Sequence, residues 1–445
     1  MNIRNRRFIN TLIMAVGITL SAIVSTGCDP FWELINNGEY NEEDMKNRNV
    51  LLLYSAGYND LSQFLDSDVD ELMSGWLPGN KGADNILLVY KHNTISYKNF
   101  STPNAPDLIR LYKDKKGNVI SDTLKTFSPE SISSSARMLN EVLTFVKEEF
   151  PAKGYGMIFS SHATGYLPSG YYSNPGKYKF DKGLKMMSSG YFMDPAPVPY
   201  VEVEHDPSLP MVKSIGQDAI KSDGTTVSYE MDLPDFAEAI PMKLDYLLFD
   251  ACLMGGIEVA YELKDKCSFV GFSQAEVLAE GLDYRKLTTH LLQNANPDPQ
   301  AVCEDYFKQY DIETGVYRSA TISYIDCSRL EPLAETCRTL FAAHRSTLDK
   351  INYNNVQRYY RSDKHWFYDL ESIVTESGAT EQELQELKNA LQECVIYAAH
   401  TPEFMLEFEI NTFSGFSMYL PRNGGTELDK YYKTLKWNQT TGLVE

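Results

Sequence analysis

The sequence predicts an α/β protein whose mostly parallel central sheet is flanked by helices on both faces. Two observations lead there. Short apolar runs bounded by turn residues recur at 50–54, 85–90, 155–160, 245–250 and 267–272, as expected of strands buried on both sides. Between several of them, apolar residues return every three or four positions, as on helices that pack one face against a sheet. With 445 residues, 43% apolar and 12% aromatic, the chain has ample material for a large core.

The first residues read as a targeting segment. Arg4, Arg6 and Arg7 form a basic head, residues 8–24 are largely apolar, and Ser25-Thr26-Gly27-Cys28 ends the stretch in small residues, so 1–27 is expected to be a bacterial signal peptide. The Gly-Cys ending resembles a lipoprotein cleavage box. Cys28 is then the lipidation site, 28–48 a tether, and the product an exported, membrane-anchored lipoprotein in the periplasm or at the cell surface. A cleaved peptide with no role for Cys28 is the plainer alternative. Loss of the leader takes the net charge from −20 to −23, which argues against nucleic acid as a partner.

After the first strand, Gly57-Tyr58-Asn59-Asp60 makes a turn into a helix with Leu61, Leu65, Val69 and Leu72 facing inward. Asp66, Asp68 and Asp70 lack the Gly and distal Glu of a calcium loop and read as a solvated face. The second strand, 85–90, is followed by a polar hairpin around 114–118. Ser128-Pro129-Glu130 is expected to start the helix whose stripe is Ile132, Ala136, Leu139, Leu143 and Val146. That helix completes a crossover to the strand ending at Ser160.

Residues 166–230, rich in Gly, Pro, Ser and Tyr, form a long insertion of the kind that is usually functional or mobile. Farther on, a strand at 321–326, a helix bearing Leu330, Leu333, Ala334, Cys337, Leu340 and Phe341, a helix through Leu384, Leu387, Leu391, Val395 and Ala398, and an alternating edge strand at 404–410 are expected. The domain is placed at 49–425, with 426–445 as a tail.

Seven Cys occur without a C-x-x-C pair or zinc-like Cys/His spacing, so no metal centre or cofactor is expected. With Cys28 and Cys252 set aside, an odd five remain, which fits buried free thiols better than a full disulfide set.

Two strand ends stand out chemically. Asp245-Tyr246-Leu247-Leu248-Phe249-Asp250-Ala251-Cys252-Leu253-Met254-Gly255-Gly256 places Cys252 just past a buried strand and ahead of a helix whose dipole favours a thiolate. Met157-Ile158-Phe159-Ser160-Ser161-His162-Ala163-Thr164-Gly165 places His162 at the same point of another. In parallel sheets ligands and chemistry gather at this edge. If the two strands are neighbours, thiol and imidazole meet as a Cys-His dyad. Taken singly, each residue is more often structural; the joint placement is what points to catalysis.

Ser161-His162-Ala163-Thr164-Gly165 and Asp250-Ala251-Cys252-Leu253-Met254-Gly255 resemble the two signature segments of the clostripain family of cysteine peptidases. Residues 50–56 and 413–421 add to the resemblance. It implies a caspase-like fold with C-terminal helical and strand additions, and a cysteine endopeptidase that cleaves protein or peptide substrates after Arg or Lys. Cys252 and His162 are then catalytic, and the N–H groups of Ala163 and Cys252 form the oxyanion hole. Ala163 stands where Gly is commoner. Asp250 is implied in reading a basic side chain, against a plainer role as a helix cap. Glu280 and Asp283, in the acidic loop after the strand at 267–272, are the further candidates for the pocket wall. Lys177, Lys179, Lys182 and Lys185 are implied as self-processing sites, against the plainer reading of an exposed lysine-rich loop. Calcium enters by family analogy only. The rival reading is a catalytically inactive, caspase-like surface lipoprotein that binds peptides or glycans.

Overall fold

The computed structural model describes residues 46–93, 104–181, 192–199, 208–212, 218–222 and 225–445; the leader, Cys28, Lys182 and Lys185 lie outside these. Along the chain come β1 (Asn49–Gly57), β2 (Ile86–Asn93), β3 (Asp107–Lys113), β4 (Val119–Thr126) and β5 (Gly154–Ser160). Three short strands, β6 (Val198–Pro199), β7 (Asp218–Ser222) and β8 (Thr225–Tyr229), then form a small sheet of their own inside the long insertion. Next are β9 (Leu244–Asp250), β10 (Cys267–Phe272), β11 (Thr321–Asp326), β12 (Tyr368–Asp369) and β13 (Val395–His400), followed by the two-residue strands β14 (Glu403–Phe404), β15 (Phe408–Glu409) and β16 (Ser417–Met418).

Nine of these strands make the central sheet, in the order β13-β11-β10-β9-β5-β1-β2-β3-β4. The five in the middle, β10, β9, β5, β1 and β2, run parallel, and antiparallel strands close both edges. The apolar runs take the centre because only there are both faces covered: every residue of β1 is buried.

Among the described residues, the helices longer than a single turn are α1 (Ser62–Ser74), α2 (Ala136–Glu149), α3 (Leu233–Ala239), α4 (Ile257–Leu263), α5 (Tyr284–Leu292), α6 (Pro299–Asp311), α7 (Leu330–Ala343), α8 (Leu370–Glu376), α9 (Glu381–Cys394), α10 (Gly425–Tyr432) and α11 (Lys436–Thr441). Consecutive residues of β9 show the two layers. Phe249 packs against Phe159 and, on α3, Phe236. Asp250, on the opposite face, meets Tyr284 of α5 at 2.7 Å. Helices α2, α3, α4, α11 and α7 follow one another in contact on the first side, and α1, α5 and α6 on the second.

Several expectations are corrected. The helix expected at Ser128 begins at Ala136, because Ser133 and Ser134 are engaged elsewhere: Ser133 Oγ with His92 Nδ1 at 2.6 Å, and the Ser134 N–H with the Asp218 carboxylate at 3.1 Å. Ser135 is the actual cap, its hydroxyl accepting from the Met138 N–H. The helix expected through Ala398 stops at Cys394, and the β-branched pair Val395-Ile396 opens the sheet's edge strand β13. The edge strand expected at 404–410 is instead the hairpin β14–β15, which turns through Met405 and Leu406 at φ 49° and 58°. Residues 426–445 are no tail: α10 and α11 belong to the helical layer, with Trp437 and Leu443 fully buried. The segment between Cys252 and α4 is a turn, and the helix begins at Ile257.

Candidate active site

Three neighbouring strands end at one edge of the sheet. β5 and β9 run in register from Gly156 opposite Tyr246 to Ser160 opposite Asp250. Two residues beyond that last pair stand His162 on one chain segment and Cys252 on the other. β1 pairs with the far side of β5, Ser55 opposite Ser160, and its turn brings Asp60 to the same edge.

The turn holding Asp60 is built by its own residues. Asn59 accepts the Leu61 N–H on its Oδ1 at 3.0 Å and donates from Nδ2 to the Ala56 carbonyl at 3.2 Å, a side-chain mimic of a backbone turn. Ser161 Oγ donates to the same Ala56 carbonyl at 2.8 Å, tying the two strand ends together. His162 is 7% exposed. Its Nε2 lies 2.6 Å from Asp60 Oδ1, and its Nδ1 is buried without a hydrogen-bond partner among the described residues.

The cysteine loop is shaped by unusual backbone. Leu253 has φ 60°, and its N–H donates to the Ala275 carbonyl at 2.9 Å; the Gly255 N–H donates to Ser273 at 2.7 Å. Gly255 has to be glycine, because a Cβ there would fall 2.6 Å from the Gln274 nitrogen. The histidine loop then presses on this one: Gly165, at φ 61°, leaves only 2.5 Å between a would-be Cβ and the Leu253 carbonyl oxygen.

Cys252 itself is fully buried. The Val277 N–H donates to its sulfur at 3.0 Å, and the Val277 carbonyl lies 3.6 Å away. A peptide N–H is a suitable partner for a thiolate. Beside Val277, Glu276 is clasped by Arg361, whose Nε and Nη2 reach its two carboxylate oxygens, and Glu407 lies 3.5 Å from Nη1 of the same guanidinium. Attraction to these carboxylates holds Arg361 firmly charged despite its burial. Tyr172, whose hydroxyl is pushed up by burial and by the charges of Glu276 and Cys252, belongs to the same cluster. Lys364 braces it, donating to the Tyr172 carbonyl at 2.7 Å with Nζ 4.3 Å from the ring centre.

A small cavity opens at the edge, with Ser161, His162, Ala163, Phe159, Phe249 and Met254 in its lining. His162 and Ala163 thus share one concave surface, while the Cys252 thiol sits under the 273–278 loop. Asp250 is fully buried, its Oδ2 accepting from Ser160 Oγ at 3.1 Å and from the Tyr284 hydroxyl at 2.7 Å. Glu280 is exposed and Asp283 pairs with Lys286 at 2.7 Å, whereas Val277 of the same loop bonds to the thiol. Lys177 and Lys179 are exposed. Among the described residues, no group of three or more His, Cys, Asp or Glu is placed to hold a metal ion.

His162 and Cys252 are singled out by the sequence; Asp60 and the Glu276–Arg361 pair, which the structure sets beside them, are not. The Asn59-Asp60 turn was visible as a turn; its partner, 102 residues away, was not.

The clostripain family model matches residues 53–185 and 203–442. Among solved structures, an inactive zymogen C11 protease from Parabacteroides distasonis is 25% identical with a TM-score of 0.68, over 89% of this chain and 98% of that one. A secreted C11 cysteine protease from Bacteroides thetaiotaomicron, in complex with an irreversible peptide inhibitor, superposes with a TM-score of 0.66 at 23% identity, covering 88% of this chain and 98% of that one. No curated protein matches the chain.

Proposed function

The chain belongs to the clostripain family, a family of cysteine peptidases, and from that premise we propose that it is an endopeptidase cleaving after Arg, and after Lys, through Cys252 and His162. The observation that carries the reading is the register: β5 and β9 are adjacent and parallel, and the two residues stand level beyond their last pair, Ser160 and Asp250.

In this reading Cys252 Sγ attacks the substrate carbonyl while its proton passes to His162. The tetrahedral oxyanion is held by the N–H groups of Ala163 and Cys252. His162 then protonates the leaving amine, and a thioester forms between Cys252 and the acyl fragment. Water, deprotonated by His162, releases the acid and restores the thiol. The thiol meets substrate only after the 273–278 loop draws back from it. The form described is therefore a resting one, and cleavage at Lys177, Lys179, Lys182 or Lys185 is the proposed release.

The preference for basic residues has two supports. Asp250 lies two residues before the nucleophile, and Glu276 already binds one guanidinium bidentately next to the residue that touches Sγ. Glu280 and Asp283 add negative charge to the same loop. Export as a lipoprotein anchored at Cys28 completes the proposal.

Fluorogenic peptides ending in Arg, Lys or Asp, offered to the mature protein, test it. Turnover of the Arg and Lys peptides that disappears in Cys252→Ala and His162→Ala is expected. Absence of turnover, or full activity in Cys252→Ala, overturns the proposal in favour of a non-cleaving peptide binder.

A further inference from the structure

We propose that Asp60 is a positioning residue of the site, fixing the His162 imidazole with the proton on Nε2 so that Nδ1 is the nitrogen that exchanges protons with the Cys252 thiol. This rests on the reading of His162 as the general base. It converts the dyad into a three-membered relay in which Asp60 stays ionised throughout.

Three observations lead to it. The Asp60 Oδ1 to Nε2 distance of 2.6 Å is that of a charge-assisted hydrogen bond, and a carboxylate can only accept, so Nε2 carries the hydrogen. The other ring nitrogen is buried and unpaired among the described residues, an arrangement that structural histidines avoid and a base awaiting a proton requires. The placement is built rather than incidental. Asn59 folds the turn on both sides of Asp60, and Ser161 ties the histidine strand to the same carbonyl that Asn59 holds.

The proton ledger is simple. The S–H bond breaks and an N–H bond forms at Nδ1, giving an imidazolium beside a thiolate. That N–H bond later breaks as the amine leaves with the proton. Asp60 gains nothing and loses nothing, but its charge lowers the energy of the imidazolium at both moments. The other ionisable side chain lining the cavity with His162 is Glu230, whose Oε2 accepts the Gly170 N–H at 2.6 Å. Because the Asp60 side chain is 42% exposed, water screens part of its effect. Its removal should therefore cost less than that of a buried triad carboxylate, a fall in kcat of about 10- to 100-fold.

The decisive measurement reads the ring itself. Full-length protein labelled with 15N-histidine, in a Cys252→Ala background and with His162→Gln to assign the signal, is titrated with and without Asp60→Asn. We expect Nε2 protonated and Nδ1 bare in the neutral ring. We also expect that tautomer preference to weaken in Asp60→Asn, as the ring loses its carboxylate partner. In the active protein, Asp60→Asn and Asp60→Ala lower kcat with KM within about twofold, and Asp60→Glu restores part of it. An unchanged tautomer, or wild-type kcat in Asp60→Ala, overturns the inference while leaving the peptidase reading intact. Absence of cleavage by the wild type overturns that reading, and the titration still decides the role of Asp60.

Discussion

Replacing Gly165 by Ala isolates the contact between the histidine and cysteine loops. Two costs follow from the structure. An L-residue at φ 61° is strained by about 1–2 kcal/mol. The new methyl would also lie 2.5 Å from the Leu253 carbonyl oxygen and 3.0 Å from the Phe367 ring. That oxygen has little room to yield, because Leu253 is itself at φ 60° with its N–H bonded to Ala275. Overpacking of this kind adds about 1–3 kcal/mol, for a total of about 2–5 kcal/mol.

Gly117→Ala supplies the control, since φ there is 84° with nothing within 4 Å of the added Cβ. It suffers the strain alone and shares the same gain from a stiffer unfolded chain. With an unfolding entropy near 2.1 cal/mol/K per residue over roughly 400 residues, each kcal/mol moves Tm by about 1.2 °C. Calorimetry should thus find Gly165→Ala lower by about 2–6 °C and Gly117→Ala by about 1–2 °C. Peptide hydrolysis should fall at least about 10-fold in the first and not in the second, since the reacting groups shift against each other. Indistinguishable behaviour of the two variants, in both assays, refutes the claim that the loops are held in place by that close approach.

Other outcomes follow from named contacts. Arg361→Ala leaves the carboxylate of Glu276 buried without its guanidinium, which should cost about 3–5 kcal/mol. It should also let iodoacetamide label Cys252 at least about 10-fold faster by peptide mass spectrometry; unchanged labelling refutes the role of Glu276 in holding the loop. Burial pushes the Glu258 carboxyl up to about 7 from 4.5. Because the folded value is the higher one, its stabilisation is complete below about pH 4.5 and is lost as pH rises through 7. Glu258→Gln, which still accepts from the Tyr419 N–H and Tyr432 hydroxyl, should gain on wild type by on the order of 1–3 kcal/mol between pH 5 and 8, measured by denaturant melts. Trp437→Ala should cost about 3–5 kcal/mol, as expected of a fully buried indole and not of a tail.

What could be read in advance was whatever depends on runs and ends. The apolar stretches of β1, β2, β5, β9 and β10 announced the parallel centre, and the small residues after Ser160 and Asp250 announced the two loops. Features set by partners distant in sequence stayed hidden. The period of Leu384, Leu387 and Leu391 continues through Val395 and Ala398, so nothing local marks the change from α9 to β13; pairing with β11 decides it. Ser128-Pro129 has the chemistry of a helix start, yet Ser135 wins because Ser133 and Ser134 serve His92 and Asp218. Asp60 looks like any turn carboxylate until β1 is laid beside β5, and Glu276 like any loop charge until Arg361 arrives from 85 residues away.

The strands flanking the long insertion are immediate neighbours. β5 precedes it, β9 follows it, and their ladder from Gly156–Tyr246 to Ser160–Asp250 is closed over on both sides by β1 and β10. Farther out, the Tyr171 hydroxyl holds the Gly424 carbonyl, and the Ala219 N–H holds the Tyr58 carbonyl. Scission anywhere between β5 and β9 therefore leaves a single particle, silent in gel filtration and visible only on a denaturing gel. By the same logic, two polypeptides made apart and divided in the insertion are complementary fragments, each supplying the edge the other lacks.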